Sequence, residues 1–277
     1  LVSLNALGVS RLPTVVLFQQ QLMFAPDALR LMPLPFRMRM FAMRRMARRV
    51  CRNARLVIAQ ASHVASSLTH QFGVDPRRVR VVMPDVRWPA IASAPAPVPF
   101  FRRPTLLYVG TDRPYKSLNT ALEALALLRC HRPELRLAVT LPAGHRVSRF
   151  SGVDCLGTVP RATVRLLLRE AAALVMPSLA ETLGLPLLEA LDVGCPIAAA
   201  DLSYARDVCE DAAVYFRAAD PVSCAEACET LLSARSTAIR LVAAGHRRID
   251  TIRASQPTRL LAEAIVHAVS GSGHGRP

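Results

Sequence analysis

The sequence predicts an α/β protein with two Rossmann-like, doubly wound domains, of which the first is incomplete. Three observations lead to this prediction. Short apolar runs alternate with helical patterns in the second part of the chain, a proline-rich segment precedes that part, and the same alternation occurs in shortened form before the prolines. This alternation is typical of parallel sheets covered by helices on both faces.

The first part of the chain contains three predicted strands and two predicted helices. The strands lie at residues 14–17, 56–59 and 79–83, and the helices at residues 36–52 and 62–72. About 85 residues are fewer than the ~100–150 of a typical domain of this class. We therefore expect the first strands and helices of this domain to be missing.

Residues 84–104 separate the two parts and contain six prolines. Proline fixes φ and lacks a backbone N–H, so this composition excludes a regular helix and disfavours a central strand. We predict a semi-rigid linker. The predicted domains are residues 1–98, which end in this linker, and residues 99–277.

The second part has the complete alternating pattern. Strands are predicted at residues 105–109, 135–140, 174–176, 197–200 and 213–216. Helices are predicted at residues 120–128, 163–173, 186–191, 223–232 and 238–252, and a last helix is predicted at about residues 257–269. The strands are continuously apolar, as strands buried on both faces are.

The composition limits the function and the compartment. The net charge is +15, which attracts phosphates, acidic lipids or nucleic acid, and Lys116 is the only lysine among 35 basic residues. Seven cysteines form no C-x-x-C pair, so we expect buried free thiols in a reducing cytosol. No apolar run reaches the ~18–20 residues that span a bilayer, so we expect a cytoplasmic protein.

The segment after the strand at residues 174–176 has the features of a diphosphate site. Its loop holds Glu181 and Gly184, and a helix begins at Pro186 with Glu189 in its first turn. A helix amino end attracts phosphate, and a glycine allows the backbone to approach a ligand closely. The spacing alone is equally consistent with an ordinary β–α loop whose acidic residues favour the helix dipole.

This segment, MPSLAETLGLPLLEALDVGCPIAAAD, resembles the Glu-x7-Glu signature of the retaining GT-B glycosyltransferases of family 4 (glycosyl transferases group 1), with Glu181 and Glu189 as the two glutamates. Further similarity runs through residues 201–221. The resemblance covers about residues 106–232 and more weakly residues 14–82. Thr182 and Leu183 stand where the family usually has Gly and Phe, which leaves the sugar preference open.

The resemblance implies a GT-B fold, in which an acceptor-side domain and a nucleotide-sugar domain face each other across a cleft. Glu189 would bind the ribose hydroxyls of the donor. Glu181 would face the transferred sugar and stabilise positive charge at the anomeric carbon. Backbone N–H groups near Gly184 and Leu185 would contact the sugar or the phosphate.

A second loop, YVGTDRPYKSL, resembles the first loop of the family's nucleotide-sugar domain. Gly110 and Thr111 would bind the donor, while Arg113 and Lys116 would neutralise the diphosphate and stabilise the leaving group. These cations would replace a metal, so we expect no metal and no cofactor. The alternative is a solvated surface turn, but an ammonium and a guanidinium are not interchangeable at a phosphate, and the only lysine occupies this loop.

The basic segment at residues 36–55 predicts an amphipathic helix with apolar residues on one face and arginines on the other. Such a helix can lie on an anionic membrane, which would place the protein peripherally on the cytoplasmic membrane face. It can equally pack its apolar face onto its own domain. The sequence leaves both readings open.

These features together predict transfer of a hexose, with mannose as one candidate, from a nucleotide-diphosphate sugar to a saccharide or lipid-linked acceptor with retention. The alternatives are a GT-B nucleotide-sugar epimerase and a truncated, non-catalytic relative that only binds nucleotide. We expect no nucleic-acid partner, because no known nucleic-acid-binding pattern occurs and aromatic residues make up 5% of the chain.

Overall fold

The computed structural model describes residues 2–4, 14–86, 88 and 101–270, which form two compact units. The first unit contains residues 1–85, 180–183 and 251–277, and the second contains residues 86–179 and 184–250, within the described ranges. Most of the predicted linker, residues 89–100, lies outside the described residues.

The first unit is built on a four-stranded parallel sheet whose strands follow chain order. The strands are β1 (Val2–Leu4), β2 (Val15–Phe18), β3 (Leu56–Ala59) and β4 (Val79–Val81), and the helices between them are α1 (Pro26–Arg30), α2 (Leu34–Asn53) and α3 (Ser62–Phe72). Phe18, Phe24 and Phe72 form its aromatic core, with ring centroids 4.6–6.0 Å apart. Gly73, at φ 71°, ends α3 in the left-handed conformation that glycine adopts without strain.

The second unit is a six-stranded parallel sheet with helices between its strands. The strands are β5 (Thr105–Tyr108), β6 (Arg136–Val139), β7 (Val153–Cys155), β8 (Ala173–Met176), β9 (Ile197–Ala200) and β10 (Val214–Phe216). The helices are α4 (Leu118–Arg129), α5 (Arg161–Glu170), α6 (Leu185–Val193), α7 (Ser203–Cys209), α8 (Pro221–Ser233) and α9 (Arg235–Ala254). Every residue of β5, β8 and β9 is buried, as the continuously apolar runs predict.

The strand order of this sheet is β10-β9-β8-β5-β6-β7. The chain builds outward from β5 to β6 and β7, and then returns to place β8 on the other side of β5. Leu106 and Leu107 of β5 lie in register with Ala173 and Leu174 of β8. The order therefore reverses between β5 and β8, which is the topological switch point of a doubly wound sheet.

The last helix, α10 (Pro257–Ser270), belongs to the first unit. Its residue Ala268 is buried with Val15 and Ile58, and Leu261 and Ile265 pack against them half-buried. The predicted boundaries at residues 98 and 99 grouped this helix with the second domain, whereas its apolar contacts are with β2 and β3.

The predicted fold class, two Rossmann-like α/β units with parallel sheets, is confirmed, and the reversal of strand order that defines a doubly wound sheet is in the second unit. The structure adds β1, α1, β7 and α7, which the sequence analysis did not predict. The seven cysteines are free, and five of them are buried. No helix in the described part of the chain is both long enough and apolar enough to cross a membrane.

Candidate functional site

The loops that follow β5 and β8 lie beside each other, because these two strands are neighbours at the switch point. The backbone N–H of Leu179, in the loop after β8, donates a 2.8 Å hydrogen bond to the carbonyl of Tyr115, in the loop after β5. Ligands of open α/β sheets bind beyond the carboxyl ends of the strands at this position. Within the second unit, the topology therefore brings the loop after β5 and the segment around Leu179 and the start of α6 to one place.

Hydrogen bonds to two side chains, those of Tyr108 and Thr140, stabilise the loop after β5. The hydroxyl of Tyr108 donates to the carbonyl of Thr111 at 2.8 Å, and the N–H of Gly110 donates to Oγ1 of Thr140 on the neighbouring β6 side at 3.0 Å. A Cβ at Gly110 would lie 3.2 Å from the Tyr108 hydroxyl, which is closer than ordinary van der Waals contact. The sequence thus requires a small residue at Gly110 and fixes the path of the loop.

The charged residues of this loop differ in their surroundings. Asp112 accepts two hydrogen bonds from Arg146, at 3.0 and 3.1 Å, so its carboxylate is neutralised within the loop region. Arg113 is exposed, whereas Lys116 is half-buried with its Nζ 5.7 Å from the centroid of the Tyr115 ring. Arg113 and Lys116 are therefore the two cations of this loop. Asp112, their nearest acidic neighbour in sequence, is already paired with Arg146.

The loop after β8 ends in a glycine that begins α6. Gly184 has φ 71° and ψ 63°, and a Cβ there would lie 3.2 Å from Cδ1 of Leu187 and 3.4 Å from the Tyr204 ring. Tyr204 is itself fixed, because its hydroxyl donates to the carbonyl of Ser178 at 2.8 Å. The first-turn N–H groups of α6 that follow, beginning at Leu185, have no intrahelical acceptor and carry the positive end of the helix dipole.

Glu189, on the second turn of α6, is a buried carboxylate with one identified partner. Its side chain is 7% exposed, and Nε of Arg161 lies 2.6 Å from its Oε1. Burial raises the pKa of Glu189, and the hydrogen bond and charge of Arg161 oppose that rise. Arg161 thus holds a carboxylate that would otherwise be costly to bury.

Arg161 also belongs to a small cluster around Trp88 that the sequence analysis did not find. The guanidinium groups of Arg161 and Arg165 lie 5.3 and 5.4 Å from the Trp88 ring centroid, and the indole N–H donates to the carboxylate of Asp192. Spacing could not reveal this cluster, since its members are up to 104 residues apart in sequence.

Glu181 lies in the four-residue stretch, residues 180–183, that groups with the first unit. Its carbonyl accepts a 3.2 Å hydrogen bond from Nε2 of His63. Thr182 donates to the carbonyl of Gln19 at 3.0 Å and accepts from the N–H of Gln21 at 3.3 Å. The threonine that departs from the family pattern therefore makes two hydrogen bonds that a glycine could not make.

The predicted site residues divide between the two units. The second unit contains the four residues of the loop after β5 and the three at the start of α6, namely Gly110, Thr111, Arg113, Lys116, Gly184, Leu185 and Glu189. The first unit contains Glu181. Among the described residues, no group of three or more His, Cys, Asp or Glu side chains is arranged to hold a metal ion. The individual roles of these residues stay predictions.

Comparison with known proteins shows which family this chain resembles. Residues 103–234, the strands and helices from β5 to α8, match the family described as Glycosyl transferases group 1. The chain is 28% identical over 178 residues to the D-inositol 3-phosphate glycosyltransferase of Streptomyces scabiei, which covers 55% of this chain and 40% of that protein. It is 30% identical over 218 residues to the enzyme of the same name from Geodermatophilus obscurus, which covers 69% of this chain and 48% of that protein.

The fold is similar to that of a protein of known structure. The structure of Anabaena HepE in complex with UDP and glucose superposes with a TM-score of 0.71 at 16% identity, over 91% of this chain and 71% of that one. This similarity establishes a GT-B fold. The chain spans a little under half the length of the curated relatives it matches.

Proposed function

Residues 103–234 make this chain a member of the glycosyl transferases group 1 family on a GT-B fold, and we propose that the protein transfers a hexose from a nucleoside-diphosphate sugar to a saccharide or lipid-linked acceptor. One observation carries the proposal. The switch point of the second sheet joins a loop that bears Arg113 and Lys116 to a helix amino end followed by the buried carboxylate of Glu189.

In the proposed complex, the diphosphate lies between the two cations of the loop after β5 and the amino end of α6. Two negatively charged phosphates are stabilised by Arg113 and Lys116, and by the N–H groups near Gly184 and Leu185. The close backbone approach at Gly110 and Thr111 leaves room for the phosphate oxygens. This arrangement requires no metal and no cofactor, and the donor itself is the substrate.

The ribose hydroxyls are assigned to Glu189. A carboxylate accepts hydrogen bonds from two adjacent hydroxyl groups and donates none while it is ionised. Arg161 supports this role, because its hydrogen bond to Oε1 orients the carboxylate and opposes the rise of its pKa. Arg161 is a positioning residue in this account, since it acts on the donor through Glu189.

Transfer breaks the bond between the anomeric carbon and the diphosphate oxygen and forms a bond to an acceptor hydroxyl oxygen, with net retention. The electron pair of the broken bond leaves with the diphosphate, where Arg113 and Lys116 stabilise the new charge. The hydroxyl proton passes to an oxygen of the departing diphosphate as the new bond forms. We assign to the Glu181 carboxylate the stabilisation of positive charge at the anomeric carbon.

A donor panel tests this proposal on the protein as it exists. UDP is the nucleotide in the solved complex of HepE, and the curated relatives are named for a phosphorylated inositol acceptor. The panel therefore contains UDP-glucose, UDP-N-acetylglucosamine and GDP-mannose, each with and without inositol 3-phosphate, and release of UDP or GDP is measured. We expect one donor to turn over.

Two variants and one control connect turnover to the proposed residues. Lys116→Ala and Glu181→Gln are expected to reduce turnover on the order of 100-fold, because each removes charge stabilisation that develops in the transition state. Arg240→Gln, an exposed arginine of α9, is the control and should turn over like the wild type. Unchanged turnover in both site variants would refute the assignment.

The same assay separates the alternatives. Donor binding without turnover of any sugar would favour a relative that only binds nucleotide. The observation that favours this alternative is that the chain spans less than half the length of its curated relatives. Conversion of the donor to its epimer, with the nucleotide still attached, would identify an epimerase. Analysis of the product by nuclear magnetic resonance also gives the anomeric configuration and so tests retention.

A further inference from the structure

The helix α2 has an inner face that is fully used in packing. Met40, Ala47, Val50 and Cys51 are buried in the first unit, and Phe36 and Met43 are half-buried beside them. This is the apolar face that the sequence analysis identified. Because it packs onto its own domain, it cannot at the same time contact a membrane, and a membrane contact needs another surface.

The outer face of α2 carries a second, exposed set of apolar side chains. Leu34, Met38 and Phe41 are 63%, 65% and 61% exposed. Their spacing of four and three residues places them on one side of the helix, on its first two turns. An uninterrupted row of three large apolar side chains in solvent is unfavourable for a surface that contacts only water.

The same side of α2 continues as a row of arginines. Arg45, Arg49 and Arg52 follow at helical spacing on the last two turns, and they line a surface depression together with Phe41 and Gln71. The Arg45 guanidinium lies 5.9 Å from the centroid of the Phe41 ring, so the apolar and basic parts of the face adjoin. We call these six residues, Leu34, Met38, Phe41, Arg45, Arg49 and Arg52, the outer face of α2.

No carboxylate of the local sequence offsets this charge. The helix α2, residues 34–53, contains seven arginines and no aspartate or glutamate. Arg44 and Arg48, at the edge of the face, hydrogen-bond to Gln71 and to the Phe72 carbonyl, which are neutral groups. Within the described residues, no ion pair joins Arg45, Arg49 or Arg52 to an acidic side chain. The partner of this surface must therefore supply negative charge.

We propose that the outer face of α2 docks the protein onto an anionic lipid bilayer. The three arginines would bind lipid phosphates, and the Leu34, Met38 and Phe41 side chains would enter the boundary between headgroups and acyl chains, about 5–10 Å deep. Charge complementarity and the adjacent apolar row are the two observations that select this partner. A nucleic acid would match the arginines, but it would leave the apolar row in water.

Flotation of the full chain with vesicles tests the proposal. Vesicles of phosphatidylcholine with about 30% phosphatidylglycerol, which imposes a negative surface potential, are compared with pure phosphatidylcholine, at low and at high salt. We expect binding to the anionic vesicles that weakens in high salt. Equal binding to both vesicle types, or none to the anionic ones, would overturn the proposal.

Two triple variants assign the binding to this face. Changing Arg45, Arg49 and Arg52 to Gln should weaken binding on the order of 100-fold, since each arginine near an anionic surface contributes roughly five-fold. Changing Leu34, Met38 and Phe41 to Ser should also weaken it, by at least about ten-fold. The control changes Arg77, Arg235 and Arg240, three exposed arginines outside the face, to Gln. Its affinity for anionic vesicles should stay within about three-fold of the wild-type affinity. If the control loses as much as the face variants, binding reflects net charge only and the proposal fails.

A titration with RNA decides whether the partner of this face is a lipid or a nucleic acid. The wild type and the apolar triple variant are titrated with a single-stranded RNA under the same salt conditions. The proposal predicts that the serine substitutions weaken vesicle binding and leave any RNA binding unchanged. If RNA binds and anionic vesicles do not, the face serves a nucleic acid instead. Because all six side chains are exposed or on the surface depression, circular dichroism melts should show that the variants remain folded.

Discussion

At the residue scale, the pair of Glu189 and Arg161 shows how the site depends on tertiary structure. The sequence predicted a role for Glu189 from its place in the motif, but nothing in the local sequence pointed to Arg161. Of the 35 Lys and Arg residues one is Lys116, so the chain contains 34 arginines. One more arginine at the start of a helix therefore gives little indication of a functional site. Only the packing of α5 beside α6 brings the two side chains to 2.6 Å.

Removing Arg161 should make the stability of the protein depend more strongly on pH. Burial already raises the folded-state pKa of Glu189 above its unfolded value, so this carboxyl disfavours folding as pH rises between those two values. Arg161→Gln removes the opposing interaction and raises that pKa further. We expect a loss of about 1–2 kcal/mol in the free energy of unfolding at pH 7.5, and a smaller loss at pH 5, because a raised pKa leaves more of the carboxyl neutral there than at pH 7.5.

Urea unfolding of the variant and the wild type at both pH values measures this difference. Arg165→Gln is the matched control, because Arg165 also lies over Trp88 but has no hydrogen bond to Glu189. The control should show no additional pH dependence. A destabilisation of Arg161→Gln that is equal at pH 5 and pH 7.5 would show that the loss comes from Trp88 packing and not from the carboxylate.

A second residue-scale prediction concerns Gly184. Gly184→Ala combines the strain of a side chain at φ 71° with contacts to Leu187 and Tyr204, whereas Gly144→Ala has the strain of φ 81° with no atom near the new Cβ. We expect both variants to lose about 1–2 kcal/mol of stability. Only Gly184→Ala should also weaken nucleotide binding. Thermal melts and titration with UDP and GDP check this, and equal nucleotide affinity in both variants would contradict the proposed backbone approach at Gly184.

At the element scale, the sequence predicted the buried strands well, but of the four edge strands it predicted only β4 and β10. The strand β3 and the helix α3 have the predicted bounds, since apolar runs and helical spacing are clear there. The strand β7 was missed, because its three residues, Val153–Cys155, form a half-exposed edge with an aspartate at the centre. Its pairing with β6 is a tertiary contact that a three-residue pattern cannot specify.

The helix α10 gives an element-scale prediction. Leu261 and Ile265 pack half-buried against β2 and β3, whereas Val266 on the same helix is exposed. Replacing either packed residue with Ala should cost about 1–2 kcal/mol, and Val266→Ala should cost less than about 0.5 kcal/mol. In the Leu261 and Ile265 variants, hydrogen exchange measured by mass spectrometry should be faster than in the wild type in β2 and β3 and unchanged in β5 and β6. Equal acceleration in both sheets would mean that α10 does not stabilise the first unit specifically.

At the scale of the whole molecule, the decisive feature is the strand order of the second sheet. The sequence predicted five of its six strands and placed both motifs at strand ends, but it could not give the order in which the strands pair. That order results from the crossing of the chain between β7 and β8, and it makes β5 and β8 neighbours. The family resemblance implied a GT-B fold, and the fold comparison confirms it.

The central claim is that the loop after β5 and the start of α6 together bind a nucleoside diphosphate. Calorimetric titration of UDP and of GDP into the full chain tests it most directly, with Lys116→Ala, Glu189→Gln and the control Arg240→Gln measured alongside. We predict that one nucleotide binds and that each site variant weakens its binding on the order of ten-fold or more, because each loses a charge-assisted hydrogen bond. The control should bind like the wild type. Binding of neither nucleotide, or equal binding by all four proteins, would contradict the account.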